Sequence, residues 1–266
     1  MGLAHPGFRL KGIVVISLGL APNFRDVGPL PVLGGGTLRR GMVFRSEALL
    51  DPGPEDAAQV RNCGIKLVFD LRSSAETLRA PNRFWSNEGI EHRNLDLLGA
   101  FPRDANPWDL LRANPTAAGS EALMHTLYAG FPRAALSHLP GLFEAAVEGG
   151  LPLLVHCTAG KDRTGFVVAM LLAALDIEPA AIMADYMASA GRKTEIAREA
   201  TRHMARSYVG DGIGDDAIEA LMGVSASYLA ASFAAIEADF GGTDAYLDAL
   251  GLNPAKRAAL RGLLIE

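Results

Sequence analysis

Residues 151–165 read Leu-Pro-Leu-Leu-Val-His-Cys-Thr-Ala-Gly-Lys-Asp-Arg-Thr-Gly. The apolar run at the start of this stretch has the length of a buried strand, and Gly160 permits a sharp turn soon after it. Residues 164–175 are apolar on every side, which predicts a helix in the middle of the core. A buried strand that leads through a short loop into a core helix is typical of an α/β protein.

Further strands and helices are predicted on both sides of this stretch. Short apolar or β-branched runs predict strands over 12–20, 65–69 and 90–95, and the Gly- and Pro-rich residues 23–46 predict a hairpin-like excursion. Helices are predicted over 54–63, 119–130 and 133–148, and almost throughout 179–266. We therefore expect a single domain over 1–266, with a mostly parallel central sheet flanked by helices and a helical C-terminal third.

Composition excludes several classes of protein. The chain has 266 residues, is 49% hydrophobic and carries a net charge of −5, so it is neither disordered nor a general nucleic-acid binder. Two cysteines are too few for a disulfide scaffold. The longest uncharged run, 220–236, contains Gly223 and Tyr228 and makes a poor membrane span. We expect no nucleic-acid partner and no stable membrane insertion.

The apolar run 12–21 follows Arg9 and Lys11, as the apolar part of a signal peptide would. It is short and β-branched, which favours a strand instead. We therefore expect a cytoplasmic protein, or one that is secreted without a cleaved signal peptide.

The loop after residues 151–155 is built for an anion. The backbone N–H groups of residues 158–163 can converge on one point, and the following helix aims its positive end at that point. Arg163 can bind two phosphate oxygens, and Cys157 ionises easily in such a field. The predicted nucleophile is therefore Cys157, and the predicted phosphate-binding residues are Thr158, Ala159, Gly160, Lys161, Arg163 and Thr164.

The pattern His-Cys-x5-Arg-Thr at 156–164 resembles the signature of the cysteine-based protein tyrosine phosphatase superfamily. The full form His-Cys-Thr-Ala-Gly-Lys-Asp-Arg-Thr-Gly is similar to its atypical bacterial branch, as are residues 23–28, 44–46 and 70–73. This branch is dual-specificity and sometimes acts on phosphoinositides. The resemblance implies a bacterial phosphatase that forms a cysteinyl-phosphate on Cys157 and needs no cofactor or metal. Its partner would be a phosphorylated protein or a phosphoinositide.

The sequence leaves more than one candidate for the general acid, because the Trp-Pro-Asp motif of many tyrosine phosphatases is absent. The resemblance favours Asp162, which lies in the loop itself. Asp70 is the rival, since it ends a predicted strand near the same edge of the sheet. Asp96 and Asp104 are weaker alternatives on or near the loop after the third strand.

Two further features have alternative interpretations. Lys161 either favours inositol-lipid phosphates or only offsets the charge of Asp162. Arg198, Arg202 and Arg206 share one helical face, which is either a salt-bridged solvent face or the basic side of a mobile lid over 190–222.

The main competing functions are a catalytically weak phosphate-binding protein and a cysteine redox protein of the arsenate-reductase or rhodanese type. Arsenate reduction needs a partner thiol, for which Cys63 is a weak candidate. Zinc binding is disfavoured, because the one His-Cys pair has no second pair at ligand spacing.

Overall fold

A computed structural model describes residues 18–19, 21–101, 107–192 and 195–266. The strand predicted over 12–20 therefore lies outside the described residues, apart from Leu18 and Gly19.

Within the part of the chain that the structure describes, five strands form one sheet in the order β1-β2-β5-β3-β4. The strands are β1 (Arg25–Asp26), β2 (Val43–Ser46), β3 (Leu67–Asp70), β4 (Glu91–Asn94) and β5 (Leu153–His156). All neighbours are parallel except β1, which pairs antiparallel with β2 and closes the predicted hairpin over 23–46. The register pairs Asp70 with His156 and Ser46 with His156, so β2, β3 and β5 end in line. The predicted, mostly parallel α/β sheet is confirmed.

Thirteen helices surround this sheet within the described residues. Those before β5 are α1 (Pro54–Asn62), α2 (Ser74–Arg79), α3 (Arg83–Asn87), α4 (Trp108–Ala113), α5 (Ala117–Ala135) and α6 (Leu139–Val147). Those after it are α7 (Asp162–Ala174), α8 (Pro179–Met187), α9 (Glu195–Val209), α10 (Asp215–Met222), α11 (Ala226–Phe240), α12 (Thr243–Ala249) and α13 (Pro254–Leu264). The prediction of a helical C-terminal third is confirmed.

The core has two layers because strand side chains alternate between the faces of the sheet. Phe69, Leu153 and Val155 face the larger cluster, which includes α7 and extends from Val27 to Leu264. The other face, with Val68 and Leu154, packs in a smaller cluster with Trp85. As predicted, α7 is buried along nearly its whole length. It therefore fixes the loop that precedes it against the sheet.

The prediction of separate helices over 119–130 and 133–148 is wrong at their junction. Helix α5 continues through Pro132 to Ala135, and α6 begins only at Leu139. Proline removes the N–H that would bond the carbonyl of Tyr128, four residues earlier. The Ser232 hydroxyl of α11 donates to that carbonyl instead, at 2.7 Å. A tertiary contact thus replaces the lost helical bond.

Among the described residues, no single helix is both long and apolar enough to cross a membrane. Helices α10 and α11 meet that test only as a pair, with a bend of 56° between them.

Candidate active site

The loop between β5 and α7 crosses the carboxyl edge of the sheet. Cys157 follows directly on β5 and is 2% exposed, and α7 begins at Asp162. Gly160 has a φ of +67°, and a Cβ there would lie 2.4 Å from the backbone carbonyl atoms of Ser46. Only glycine fits both the backbone conformation and the contact with β2.

Buried polar side chains hold this loop by its carbonyl groups. The Asn23 amide donates to the carbonyl of Ala159 at 3.0 Å, and Arg45 donates to that of Gly160 at 2.9 Å. Arg45 is fully buried and forms an ion pair with Asp185 at 2.5 Å. Because a trans peptide points its C=O and N–H in opposite directions, the N–H groups of Gly160 and Lys161 face away from these braces.

Arg163 is held by a carboxylate that the sequence analysis missed. Its two terminal nitrogens donate to Glu76 at 2.6 and 2.9 Å, and the Thr158 hydroxyl donates to the same carboxylate. Burial raises the pKa of Glu76, but the hydrogen bonds and charge of Arg163 outweigh it and lower the pKa to about 2. The guanidinium is therefore fixed beside the loop as a permanent cation.

A sequence signal for Glu76 exists. Glu76 is the third residue of α2, and Ser73 and Glu76 form a capping box in which each side chain bonds the other's backbone N–H. The pattern Ser-x-x-Glu is the usual mark of such a helix start. It locates α2 at the end of β3, close to the predicted site.

Asp162 is the loop carboxylate that remains partly open, with 25% of its side chain exposed. Its Oδ1 accepts from the Tyr128 hydroxyl at 2.8 Å and from the Lys161 ammonium at 2.8 Å. The Lys161 ammonium also donates to the carbonyls of Leu221 and Gly223, at 2.9 and 3.2 Å. Lys161 thus joins the loop to the C-terminal end of α10.

Asp70 lies in a different environment. It is fully buried, and Arg72 donates to both of its carboxylate oxygens at 2.7 to 3.0 Å. Burial raises the pKa of Asp70, but the hydrogen bonds of His92 and Arg72 outweigh it and hold the pKa well below its usual range. Asp70 is therefore a buried, ionised partner of Arg72.

The side chains of Asp70, His92 and His156 lie close enough to be considered as metal ligands, with one atom of each within 4.8 Å of the others. However, the guanidinium of Arg72 lies 2.7 Å from the Asp70 carboxylate. A cation bound there would be repelled by that charge. The chemistry of this group fits a buried ion pair better than a metal site.

The remaining predicted residues are placed as follows. Thr164 is fully buried at the start of α7, and its hydroxyl has no hydrogen-bond partner among the described residues. Asp96 accepts from the N–H and the hydroxyl of Ser74, both at the start of α2. Asp104 lies outside the described residues.

Cys63 lies towards the amino-terminal ends of the parallel strands, whereas Cys157 lies at their carboxyl ends. It precedes β3, whereas Cys157 follows the parallel strand β5. Four strand residues span about 13 Å, which is beyond the reach of a disulfide. Burial raises the pKa of the Cys63 thiol to about 11, so it stays protonated. This geometry disfavours a redox pair between the two cysteines.

The basic face of α9 is paired with acidic residues around α10. Arg198 contacts Glu219 at 2.5 Å, and Arg202 contacts Asp215 at 2.8 Å. Arg202 also pairs with Glu199, as the salt-bridged interpretation predicts. On the other side, Tyr208 of α9 stacks on Trp108 of α4 with ring centroids 4.5 Å apart. These contacts account for the basic face without a substrate, and a mobile lid over 190–222 stays a prediction.

Comparison with known proteins points to the same family as the sequence motif in this loop. Residues 16–266 match the Tyrosine phosphatase family. A Cupriavidus necator protein, named by inference as a tyrosine-protein phosphatase, is 36% identical over 90% of this chain and 84% of its own length. The triple specificity protein phosphatase PtpB of Mycobacterium tuberculosis is 31% identical over 91% of this chain and 96% of its own.

Similarity to solved structures is lower. The catalytic domain of the PP-IP phosphatase SIW14 from S. cerevisiae is 17% identical, with a TM-score of 0.36, over 77% of this chain and 92% of that domain. The family match and the two relatives decide the assignment. The chain belongs to the tyrosine phosphatase family, and it is a hydrolase of the protein-tyrosine-phosphatase type.

Proposed function

We propose that residues 1–266 act as one phosphatase domain that hydrolyses phosphomonoesters through a cysteinyl-phosphate on Cys157. One observation carries the proposal. A buried cysteine begins a loop whose carbonyls accept hydrogen bonds from Asn23 and Arg45, and Glu76 holds Arg163 of the same loop in place. The loop N–H groups, the end of α7 and Arg163 together suit a tetrahedral dianion.

In the first step, the Cys157 thiolate attacks phosphorus and the bond from phosphorus to the ester oxygen breaks. Asp162 gives its proton to that oxygen, so the alcohol leaves neutral. In the second step, a water attacks the phosphocysteine and its proton passes to Asp162. The S–P bond breaks, which releases inorganic phosphate and restores the thiolate.

Asp162 suits the role of general acid better than Asp70. The Asp162 carboxylate belongs to the loop and is partly exposed, so it can meet the leaving oxygen. Asp70 is fully buried, and its pKa is held far below the range in which it could carry a proton. We assign Asp70 to the support of Arg72 instead.

We propose phosphotyrosine proteins as the primary substrates, with phosphoserine, phosphothreonine and phosphoinositides as secondary ones. The name of the mycobacterial relative, a triple specificity phosphatase, supports a broad range. The geometry of Lys161 does not favour lipids, because its ammonium contacts Asp162 and two carbonyls at the end of α10. A lipid headgroup would have to displace these partners.

The first test is phosphate release from an aryl phosphate, phosphotyrosine and phosphoserine peptides, and phosphoinositide vesicles, in the presence of a metal chelator. Cys157→Ser is expected to lose activity on every substrate, since an alcohol is a far weaker nucleophile than a thiolate. Cys63→Ser is the matched control and is expected to keep it. Cys157→Ser activity equal to that of the wild type would exclude the cysteine mechanism. An inactive wild type would favour a binding protein.

A further inference from the structure

The proposed general acid is held by a chain of two buried tyrosines. Tyr128 of α5 donates its hydroxyl hydrogen to Asp162 Oδ1 at 2.8 Å. The hydroxyl of Tyr186, on α8, lies 2.8 Å from that of Tyr128. Because the single Tyr128 hydrogen is directed to Asp162, Tyr186 must donate to Tyr128. The chain therefore runs from Tyr186 through Tyr128 to the loop.

The two tyrosines are built into the core. Tyr128 is fully buried and Tyr186 is 1% exposed. A Cβ at Gly165 would lie 2.7 and 2.9 Å from two ring atoms of Tyr186. The glycine that follows Arg163-Thr164 thus makes room for this ring. Burial and the neighbouring Asp162 raise the pKa of Tyr128 well above its usual value, so its hydroxyl remains a donor.

The two carboxylate oxygens of Asp162 have different surroundings. Oδ1 accepts from both Tyr128 and Lys161, whereas Oδ2 has a single charged or polar partner among the described residues, Lys161 at 2.7 Å. A hydroxyl fixed by the core sets the rotation of the carboxylate more firmly than a flexible lysine does. Oδ2 is then the oxygen left to exchange a proton with the leaving group.

We infer that Tyr128, supported by Tyr186, is a positioning residue for the proposed general acid Asp162. The Tyr128 hydroxyl orients the Asp162 carboxylate and stabilises its ionised form. Asp162 needs that form in the second step, when it accepts a proton from water. The inference rests on the proposed function, because it gives Asp162 the proton-transfer role.

The test is the pH dependence of kcat/KM for Tyr128→Phe. Loss of the Tyr128 donor favours the protonated form of Asp162. The basic limb of the profile is therefore expected to move to higher pH by about half to one unit. The loss of rate is expected to be about tenfold greater for phenyl phosphate than for 4-nitrophenyl phosphate, since the poorer leaving group depends more on the acid.

The matched control is Tyr246→Phe. Tyr246 is also fully buried and donates to a backbone carbonyl, that of Pro132. Among the described residues, the Tyr246 hydroxyl bonds this carbonyl and no residue of the loop, so its removal is expected to leave the limb in place. Tyr186→Phe should shift the limb in the same direction as Tyr128→Phe, but by less.

A replacement that keeps the shape of the ring covers the case in which Tyr128→Phe does not fold. Tyr128→3-fluorotyrosine makes the phenol a stronger donor, so the basic limb is expected to move to lower pH. A profile that superimposes on the wild type for every Tyr128 variant would overturn the inference.

Asp162→Asn separates the inference from the proposed function. It is expected to remove the basic limb. If it does so while the Tyr128 variants change nothing, the inference fails and the acid assignment stands. If the limb survives in Asp162→Asn, the assignment of Asp162 fails, and the inference fails with it.

Discussion

At the level of single residues, the contact between Glu76 and Arg163 bears directly on the proposed phosphate site. Both terminal nitrogens of Arg163 bond the carboxylate, and the Thr158 hydroxyl joins them. The carboxylate fixes the plane of the guanidinium, whose terminal nitrogens also donate weakly to the Leu71 carbonyl at 3.3 Å and the Thr158 hydroxyl at 3.4 Å. An incoming phosphate would take the Nε–H or replace one of these two longer bonds. It also places a negative charge beside a site for a dianion. The balance between orientation and repulsion is open to direct measurement.

We expect Glu76→Gln to lower kcat/KM for an aryl phosphate by about tenfold, since a hydrogen bond to a charged group contributes about 1.5–3 kcal/mol. Orientation is expected to outweigh repulsion, because the amide keeps an acceptor but loses the second charged contact. Steady-state kinetics at pH 6 to 7 measure the effect. The lowered pKa of Glu76, about 2, means that the carboxylate stays ionised there.

The surface pair of Arg61 and Glu88 offers the control. It is also a two-bond pair, at 2.6 and 2.7 Å, but it uses Nε and one terminal nitrogen of Arg61 and lies on the exposed surface. Glu88→Gln should leave kcat/KM unchanged. A faster Glu76→Gln enzyme would mean that repulsion dominates and that Glu76 restrains the site.

At the level of elements, the junction of α5 and α11 shows how a helix tolerates an internal proline. Pro132 leaves the Tyr128 carbonyl without its helical partner, and Ser232 of α11 supplies one. The same turn of α5 carries the Tyr128 hydroxyl that reaches Asp162. The packing of α11 against α5 therefore bears on the geometry of the loop as well as on stability.

Ser232→Ala is expected to lower the free energy of unfolding by about 1–3 kcal/mol, the cost of leaving a buried carbonyl unpaired. Urea unfolding measures it. In a Pro132→Ala background, the restored backbone N–H can bond the Tyr128 carbonyl, so the same serine substitution should cost less. Equal costs in both backgrounds would show that the Ser232 hydroxyl does not replace the helical bond.

At the scale of the whole molecule, a buried histidine links stability to pH. Burial lowers the pKa of the His156 imidazole to about 4, so the folded ring is uncharged at neutral pH. In the unfolded chain the ring takes up a proton below about pH 6.5. Between these values the unfolded state binds more protons, so stability falls as pH falls.

We expect the free energy of unfolding to drop by about 1.4 kcal/mol for each pH unit between about 6.5 and 4, from His156 alone. Denaturant unfolding at several pH values measures this slope. His156→Gln should flatten it, and His203→Gln, at an exposed site on α9, should not. If His156→Gln keeps the wild-type slope, as His203→Gln is expected to do, other groups govern the pH dependence.

The sequence by itself determined the sheet, the core helix and the position of the loop that carries the proposed nucleophile. Local signals suffice for these, because a short apolar run, Gly160 and an all-apolar helix each carry their own physical constraint. Asn23 and Arg45 stood out only as parts of motifs that resemble a family. Asn23 and Arg45 act on carbonyls of residues more than 100 positions away, Ala159 and Gly160, whereas the ion pair of Asp70 with Arg72 is local and depends on burial by the rest of the fold.

Only the tertiary structure supplies the difference between Asp162 and Asp70 on which the proposed choice of general acid rests. Both follow or end strands at the same edge of the sheet, so spacing could not separate them. Burial against Arg72 keeps Asp70 ionised. Asp162 is partly exposed and is oriented by the hydroxyl of Tyr128, which leaves it available for the proposed proton transfer. Environment sets the behaviour of a carboxylate, and the environment comes from residues that are distant in the chain and adjacent only after folding.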